Sequence, residues 1–576
     1  MPEVNTVSSE GMPMEEIRMN TSILVIGGGW SGIKVACELV DSGYRVILIE
    51  DSTTLGGNAL SNLLVSSSRE ELSSLLGKVQ DHEAVEVLVS TRLVFMTGVP
   101  GDFRVWLEQE GTVLERAAGA VVVALEAETV SLLSVYGLQP AENVLSQSQV
   151  EAELASGGES ERFSGDTAKD FLFLVGLQQE GSPLVMERAI RSASEIQALE
   201  RCQTKVLVGN VKVAEHGLES LYTESRNRGI IYFKVKDPPK IKQDGSSLQI
   251  DVFDGVLNRD VKLTPDVVVV EDAFQPHPDA ARVSRVLGIG TDSEGFFQQN
   301  NVYNLPIRTN REGVFVIGSA RQPRNLKHGW TDVENTVLEV RNLLGEGKKL
   351  VPIETAKVHR AKCTICLTCV RVCPHGAIYW DNRAIISPVA CQGCGICASE
   401  CPMDAIQLVN YTDLQIYAQI LASMEKPEVE APRIIGFCCQ NSANEAGEMA
   451  QLFGSSLPEG LEMIKVPCAG KVDVDYILTA FEAGADGVLV LACHKDNCKS
   501  QQGNTFAGWR VEDAGRMLEE IGLERERLRF ATVASNMPVE FVRITSEMED
   551  TLKRLGPSRI IQPVVRIKRL LKDFNG

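Results

Sequence analysis

Short apolar runs separated by glycine turns and amphipathic stretches recur along the chain. Ser22–Ile26 is an apolar strand, Gly27–Gly32 a turn, Ile33–Ser42 a helix ending at Gly43, and Arg45–Glu50 a second strand. Together they make a strand–helix–strand unit of the length such units need, roughly 30 residues. Residues 85–125 read as short β segments ending in the buried strand Ala120–Leu125. The polar, Gly/Ser-rich stretch 151–168 reads as a linker. A second α/β block follows from Phe171 to about Pro239, with strands Phe171–Val175, Lys205–Val208 and Gly229–Val235. A β-rich return leads to the strand Gly313–Ile317 and a helix from about Thr331 to Leu344. A second linker is expected over 346–357, and another, containing proline, over Lys426–Pro432. From Arg433 onward, strands at Ile434–Phe437, Gly487–Leu491 and Arg529–Val533 alternate with helices.

The chain has 576 residues, enough for three to five domains at roughly 150 residues each. Hydrophobic residues make up 44% and charged residues 23%, as in soluble globular proteins. The longest apolar runs, such as Val121–Leu125 and Val267–Val270, fall far short of the ~20 residues a bilayer span needs. Residues 1–20 lack a basic segment followed by an apolar one, so no signal peptide is expected and these residues read as a loose tail. The net charge of −20 argues against a nucleic-acid partner.

Cysteine changes the picture most. Of 15 cysteines, 13 lie after residue 360, which speaks for metal ligation in a reducing, cytoplasmic compartment rather than a secreted disulfide scaffold. Two quartets share one spacing: Cys363-x2-Cys366-x2-Cys369-x3-Cys373-Pro374 and Cys391-x2-Cys394-x2-Cys397-x3-Cys401-Pro402. This is the pattern of two [4Fe-4S] clusters in which the fourth cysteine of each quartet serves the other cluster. Cluster one is expected on Cys363, Cys366, Cys369 and Cys401, and cluster two on Cys391, Cys394, Cys397 and Cys373. Two zinc sites are the bland alternative, but zinc has no use for the duplicated x3-Cys-Pro ending. Five later cysteines (Cys438, Cys439, Cys468, Cys493 and Cys498) lie at or after strand ends, and four of them could hold a [2Fe-2S] cluster. A degenerate module with free thiols, kept for docking, is the other reading. His375 and His494 stand beside these cysteines as cover or hydrogen-bond donors, and Cys37 and Cys202 read as core residues.

Gly27-x-Gly29-x-x-Gly32 follows a strand and opens a helix, as a dinucleotide pyrophosphate requires. Glu50 ends the next strand, where a carboxylate can bind a ribose hydroxyl, and Gly56-Gly57 fits close backbone contact with a cofactor. A tight glycine turn without a ligand is the alternative. The late strand ending at Gly318-Ser319, followed by a helix near Thr331-Asp332 whose positive end would face the ring, favours FAD over NAD.

Leu174-Val-Gly176, Gly217-Leu-Glu-Ser-Leu-Tyr222, Glu294-Gly-Phe-Phe297, Pro306-Ile-Arg-Thr309, Gly313-Val-Phe-Val-Ile-Gly318-Ser319-Ala320 and the two quartets resemble, in this order, the HdrA family, the flavin component of heterodisulfide reductase. Within it the likeness is strongest to the QmoB component of the quinone-interacting membrane-bound oxidoreductase. Gly436-Phe-Cys438-Cys439, Val466-Pro-Cys468-Ala-Gly470 and Ala492-Cys493-His494-x3-Cys498 resemble the MvhD (delta) subunit of methyl-viologen-reducing hydrogenase. The resemblance implies a Rossmann-type two-domain α/β FAD-binding fold over 21–168 and 240–345, and an inserted degenerate nucleotide-binding-like domain over 169–239. An α+β bacterial-type 2[4Fe-4S] ferredoxin module over 358–410 and an α/β MvhD-like domain over 433–576 would follow. It also implies an oxidoreductase subunit of a multi-subunit complex in anaerobic energy or sulfur metabolism, moving electrons toward a disulfide, quinone or sulfur-metabolism acceptor. Expected partners are other redox subunits, including a membrane-bound quinone-reactive or heterodisulfide-reductase-like one that would place the chain at the inner face of the membrane, and a second copy in a homodimer.

Five departures stand out. Where the family has Ala-Thr-Gly, this chain has Ala124-Leu125-Glu126, and Ser319 replaces an acidic residue. Gly176-Leu-Gln-Gln-Glu-Gly181 lacks the glycine pattern of a nicotinamide site, and no cysteine-rich segment follows it. Gln440-Asn441-Ser442 supplies no third cysteine after the Cys-Cys pair. An NAD(P)H-dependent flavin reductase and a non-catalytic wiring subunit with a degenerate flavin site are the competing readings.

Overall fold

A computed structural model describes residues 14–57, 66–155, 163, 168–245, 247–255, 258–297, 305–352, 355–425 and 430–558. Parts of the expected tail and linkers (1–13, 156–162, 164–167, 353–354 and 426–429) lie outside the described residues.

The first sheet is parallel, in the order Val314–Val316, Ala120–Val123, Ser22–Ile26, Arg45–Ile49, Val85–Leu88. Apart from the half-buried edge strand Val85–Leu88, which carries Glu86, its strands are near-continuous apolar runs because both faces are buried. One face packs on the helix Trp30–Asp41 and on Leu326–Leu344, the other on the antiparallel meander Thr91–Val99, Asp102–Gln109 and Thr112–Ala118.

The second sheet is also parallel: Val144–Ser146, Val267–Val270, Lys169–Val175, Cys202–Val208, Ile231–Lys234. It draws in two strands from outside 169–239. Val267–Val270 must be buried on both faces, and the centre of this sheet is where that is satisfied. Met14–Arg18, in the expected tail, pairs antiparallel with Lys348–Pro352, in the expected linker. Pairing satisfies the backbone groups that face across the ladder.

The helix expected from Thr331 begins five residues earlier, at Leu326, because Asn325 caps it by accepting from His328 N at 3.3 Å. Asp332 therefore lies inside the helix, where it accepts from Gly318 N at 3.0 Å and pairs with Arg321.

The cysteine module carries two short antiparallel pairs, Ala356–Val358 with Ile406–Leu408 and Ile378–Trp380 with Ala384–Ile386. The last sheet is parallel, in the order Leu461–Val466, Ile434–Cys439, Gly487–Ala492, Leu528–Thr532. The chain leaves its first strand toward one edge and returns to the other. The carboxyl ends of three neighbouring strands, two middle and one edge, lead into Cys439, Cys493 and Cys468, on the side where such sheets open a crevice.

Candidate redox centres and dinucleotide cradle

The two quartets fold alike. Ile365 and Leu367 lie at φ 59 and 59, and their counterparts Gly393 and Gly395 at φ 64 and 83. Left-handed residues alternating with right-handed ones turn successive N–H groups inward, into a concavity suited to an anionic cluster. Glycine adopts this conformation freely; Ile365 and Leu367 hold it against steric cost. Cys373 Sγ accepts from Ala377 N at 3.4 Å and Cys401 Sγ from Ala405 N at 3.3 Å, again in equivalent places.

The fourth cysteines change sides. Cys363, Cys366, Cys369 and Cys401 line one small apolar cavity. Cys373 lies among Cys391, Cys394 and Cys397, close enough for its charge to act on all three. Burial first, then neighbouring thiol charge, pushes the Cys394 thiol up to about 12 and Cys397 well above its ordinary value. These groups become thiolates only when a cation shares the site, so loading and deprotonation are one event.

In the last domain, Cys438 and Cys439 are adjacent on one strand and point to opposite faces. Cys438 packs with Leu489 and Phe541, away from the other cysteines. Cys439 lies within sulfur-contact reach of Cys468 and Cys493, and Cys498 within reach of the same two. Sharing of thiol protons within the set draws Cys439 and Cys498 below the ordinary thiol range and raises Cys468 and Cys493. Four sulfurs therefore form one set. Among the described residues no His, Cys, Asp or Glu side chains converge on a single-ion position; the groupings rest on shared lining and sulfur contacts. A Cβ on Gly503 would come within 2.2 Å of Cys468 Sγ, and Asn504 Nδ2 donates to Cys493 O at 3.0 Å, so the start of the helix Gly503–Glu520 packs tightly against the set. His494 Nδ1 is engaged by Thr532 Oγ1 at 2.9 Å, and the buried His375 by Asn310 O at 3.2 Å. Cys37 is buried in the first core, as expected, and Cys202 packs at the edge of the second.

Cys394 packs against Cys468, Cys493 and Cys498, which makes the second quartet and the last set neighbours. Polar contacts hold this junction: Arg510 to Glu400 at 2.6 Å, Ser399 Oγ to Lys471 O at 2.7 Å, and Lys471 Nζ to Asp413 at 2.7 Å. Lys471 is 1% exposed, so Asp413 and Tyr476 are essential partners for its charge. Burial alone would raise Asp413, but the Lys471 charge and the hydrogen bonds from Lys471 and Tyr476 outweigh it and hold the carboxyl below its ordinary value. Asp413→Asn is therefore expected to cost about 3 kcal/mol, because it strands a buried ammonium. The check is the urea midpoint of the cluster-loaded protein. The Asp413 contribution is complete above the ordinary carboxyl value of 3.8 and is lost as pH falls through the lower folded value.

At the carboxyl end of the first sheet all the expected dinucleotide residues converge. Gly27 has φ +108, and a Cβ there would lie 2.6 Å from Ala124 O; one on Gly32 would lie 1.8 Å from Gly27 O. Gly32→Ala is thus expected to lose about 1–3 kcal/mol by overpacking, measured as a lowered melting temperature. Gly56 N donates to Gly28 O at 2.8 Å, which pins the Gly56-Gly57 loop beside the turn. Glu50 accepts from Gly28 N at 2.5 Å and from Ser52 N at 3.0 Å. Its burial would raise it, but these bonds prevail and keep it an ionised acceptor. Gly318 approaches Ser31, and Ser319 Oγ accepts from Ala127 N at 3.0 Å.

The role of Glu126 was not anticipated. Its Oε1 accepts from Trp30 N, at the start of the first helix, at 2.8 Å. Cβ atoms built on Gly29 and Gly57 would meet its side chain at 2.2 and 2.7 Å. The departure at 124–126 was visible in the sequence, but the place its carboxylate reaches was not. The backbone fits a dinucleotide diphosphate, and the end of this flexible side chain is what lies in the cradle. The second sheet has a counterpart: Gly176 N donates to Glu271 at 2.9 Å, and Tyr136 OH to its other oxygen at 2.8 Å.

Comparison with known proteins agrees with this arrangement. Residues 25–71 match the model of an NAD(P)-binding Rossmann-like domain, 362–405 that of a 4Fe-4S dicluster domain, and 434–556 that of the methyl-viologen-reducing hydrogenase delta subunit. The HdrA component of the ferredoxin:CoB-CoM heterodisulfide reductase of Methanosarcina mazei is 22% identical, over 94% of this chain and 80% of its own length. The iron-sulfur components of two hydrogenases align with 22% of this chain: that of Archaeoglobus profundus at 32% identity over 92% of its length, and that of Methanopyrus kandleri at 34% over 94%. The chain is an oxidoreductase homologue of HdrA, the heterodisulfide reductase component, along nearly its whole length, and its C-terminal part belongs to the methyl-viologen-reducing hydrogenase delta-subunit family.

Proposed function

We propose that this chain is an electron-transfer subunit of a larger redox complex, joining a two-electron flavin centre to one-electron iron–sulfur centres. The observation that carries it is the contiguity of three cysteine sets: Cys363, Cys366, Cys369 and Cys401; then Cys391, Cys394, Cys397 and Cys373; then Cys439, Cys468, Cys493 and Cys498, which touches the second set at Cys394. The first two would each hold a [4Fe-4S] cluster and the third a [2Fe-2S] cluster. FAD would supply two-electron chemistry and the clusters single-electron transfer.

The residues assigned to the flavin are those of the first cradle. The turn Gly27–Gly32 would present backbone N–H groups to a diphosphate, Glu50 would offer an acceptor to a ribose, and Gly56, Gly57, Gly318 and Ser319 would border the cofactor. A nicotinamide site in the second block is not favoured, since Glu271 takes the amide of Gly176 there. No described helix is long and apolar enough to cross a membrane. We further propose a quinone-reactive membrane partner, from the sequence resemblance to QmoB, and a homodimer, from the likeness to HdrA.

The test is iron, acid-labile sulfide and flavin per chain on anaerobically purified protein. About ten irons with one FAD is the expected result, whereas about eight would leave the last domain a docking module. Iron without any flavin, even after incubation with FAD, would move the two-electron chemistry to a partner. Rapid bleaching of the flavin by NADH or NADPH would revive the reductase reading.

A further inference from the structure

We propose that Glu126 is a displaceable internal anion, seated where the diphosphate of a dinucleotide must lie, so that the cradle is closed without cofactor and opens only when this carboxylate moves out. The proposal deepens the reading of the first cradle as a flavin site and rests on it.

A helix N-terminus presents unpaired N–H groups and a positive dipole end, and it stabilises one anion there by about 0.3–2 kcal/mol. In this chain Glu126 supplies that anion through its bond to Trp30 N. The glycines that make room for a diphosphate make room for Glu126 instead, since its side chain covers the faces of both Gly29 and Gly57. Two anions cannot share the space: they would compete for the same donor and repel one another at contact distance.

The second sheet shows the same device in a fixed form. There the strand Val267–Val270 lies beside Lys169–Val175, as Ala120–Val123 lies beside Ser22–Ile26 in the first. In both, a glutamate just beyond the neighbouring strand takes an amide of the glycine turn. Glu271 directly follows its strand, is 2% exposed and is held by Tyr136 as well. Glu126 stands on a loop two residues further out and is partly exposed. The buried glutamate is part of the core, while the loop glutamate has solvent to swing into.

The experiment uses the full chain, clusters intact, freed of flavin anaerobically and titrated with FAD by flavin fluorescence quenching. Wild type, Glu126→Gln and Glu126→Ala are compared, with iron content as the control for folding. Glu126→Ala is expected to bind FAD about ten-fold more tightly than wild type, with Glu126→Gln, which loses the charge and keeps the bulk, in between. Equal affinities in all three would overturn the proposal while leaving the flavin reading intact. Binding by none of them would overturn both, because clearing the cradle would then not have admitted the cofactor.

Discussion

Cys439→Ser is expected to remove about two irons per chain with their visible absorption, and Cys438→Ser to remove none. The residues are neighbours, so the contrast tests geometry and not composition. Successive residues of a strand face opposite sides of its sheet. Cys439 faces the side that holds Cys468, Cys493 and Cys498, with which it exchanges or shares sulfur contacts. Cys438 faces a core of Leu489, Phe541 and Met548. Its replacement should leave iron unchanged and cost only the stability of a slightly mismatched core side chain. Iron loss from Cys438→Ser with none from Cys439→Ser would refute the assignment.

The second large effect concerns the exchange of ligands between the quartets. Cys401→Ala is expected to lose about four irons, and adding Cys366→Ala should remove no more, because both would empty one cluster. Cys401→Ala with Cys394→Ala should instead lose about eight, since those cysteines belong to different sets. If each quartet held its own cluster, the two double variants would trade results. The structural ground is that Cys401 lines the cavity of Cys363, Cys366 and Cys369, while Cys373 lies among the second quartet. Iron analysis of anaerobic samples, with sulfide in parallel, reads the difference directly.

The iron–sulfur module was legible because its chemistry is local. Three ligands at fixed short spacing wrap one loop, and the Cys-Pro that follows each loop marks its end. The glycine turn, its flanking strands and Glu50 were legible for the same reason, since a strand–turn–helix unit closes on itself within about 30 residues. The start of the helix at Leu326 was obscured. Its first turns, through His328 and Gly329, show no apolar period, and only the cap at Asn325 marks the boundary.

By itself, then, the sequence determined which loops can bind clusters, where a dinucleotide turn lies, and that the last domain is an α/β unit with cysteines at its strand ends. Tertiary structure alone decided which four of the five late cysteines converge, because that depends on which face of the sheet Cys468, Cys493 and Cys498 approach. It placed Cys394 beside that set through a junction clamped by Lys471 and Arg510. It also brought Glu126 to the helix beginning at Trp30, across 96 positions of chain, because the strand before Glu126 lies next to the strand before the glycine turn. Local spacing is written in the chain, whereas strand order is set by how whole apolar faces are buried, and the contacts between distant residues follow from it.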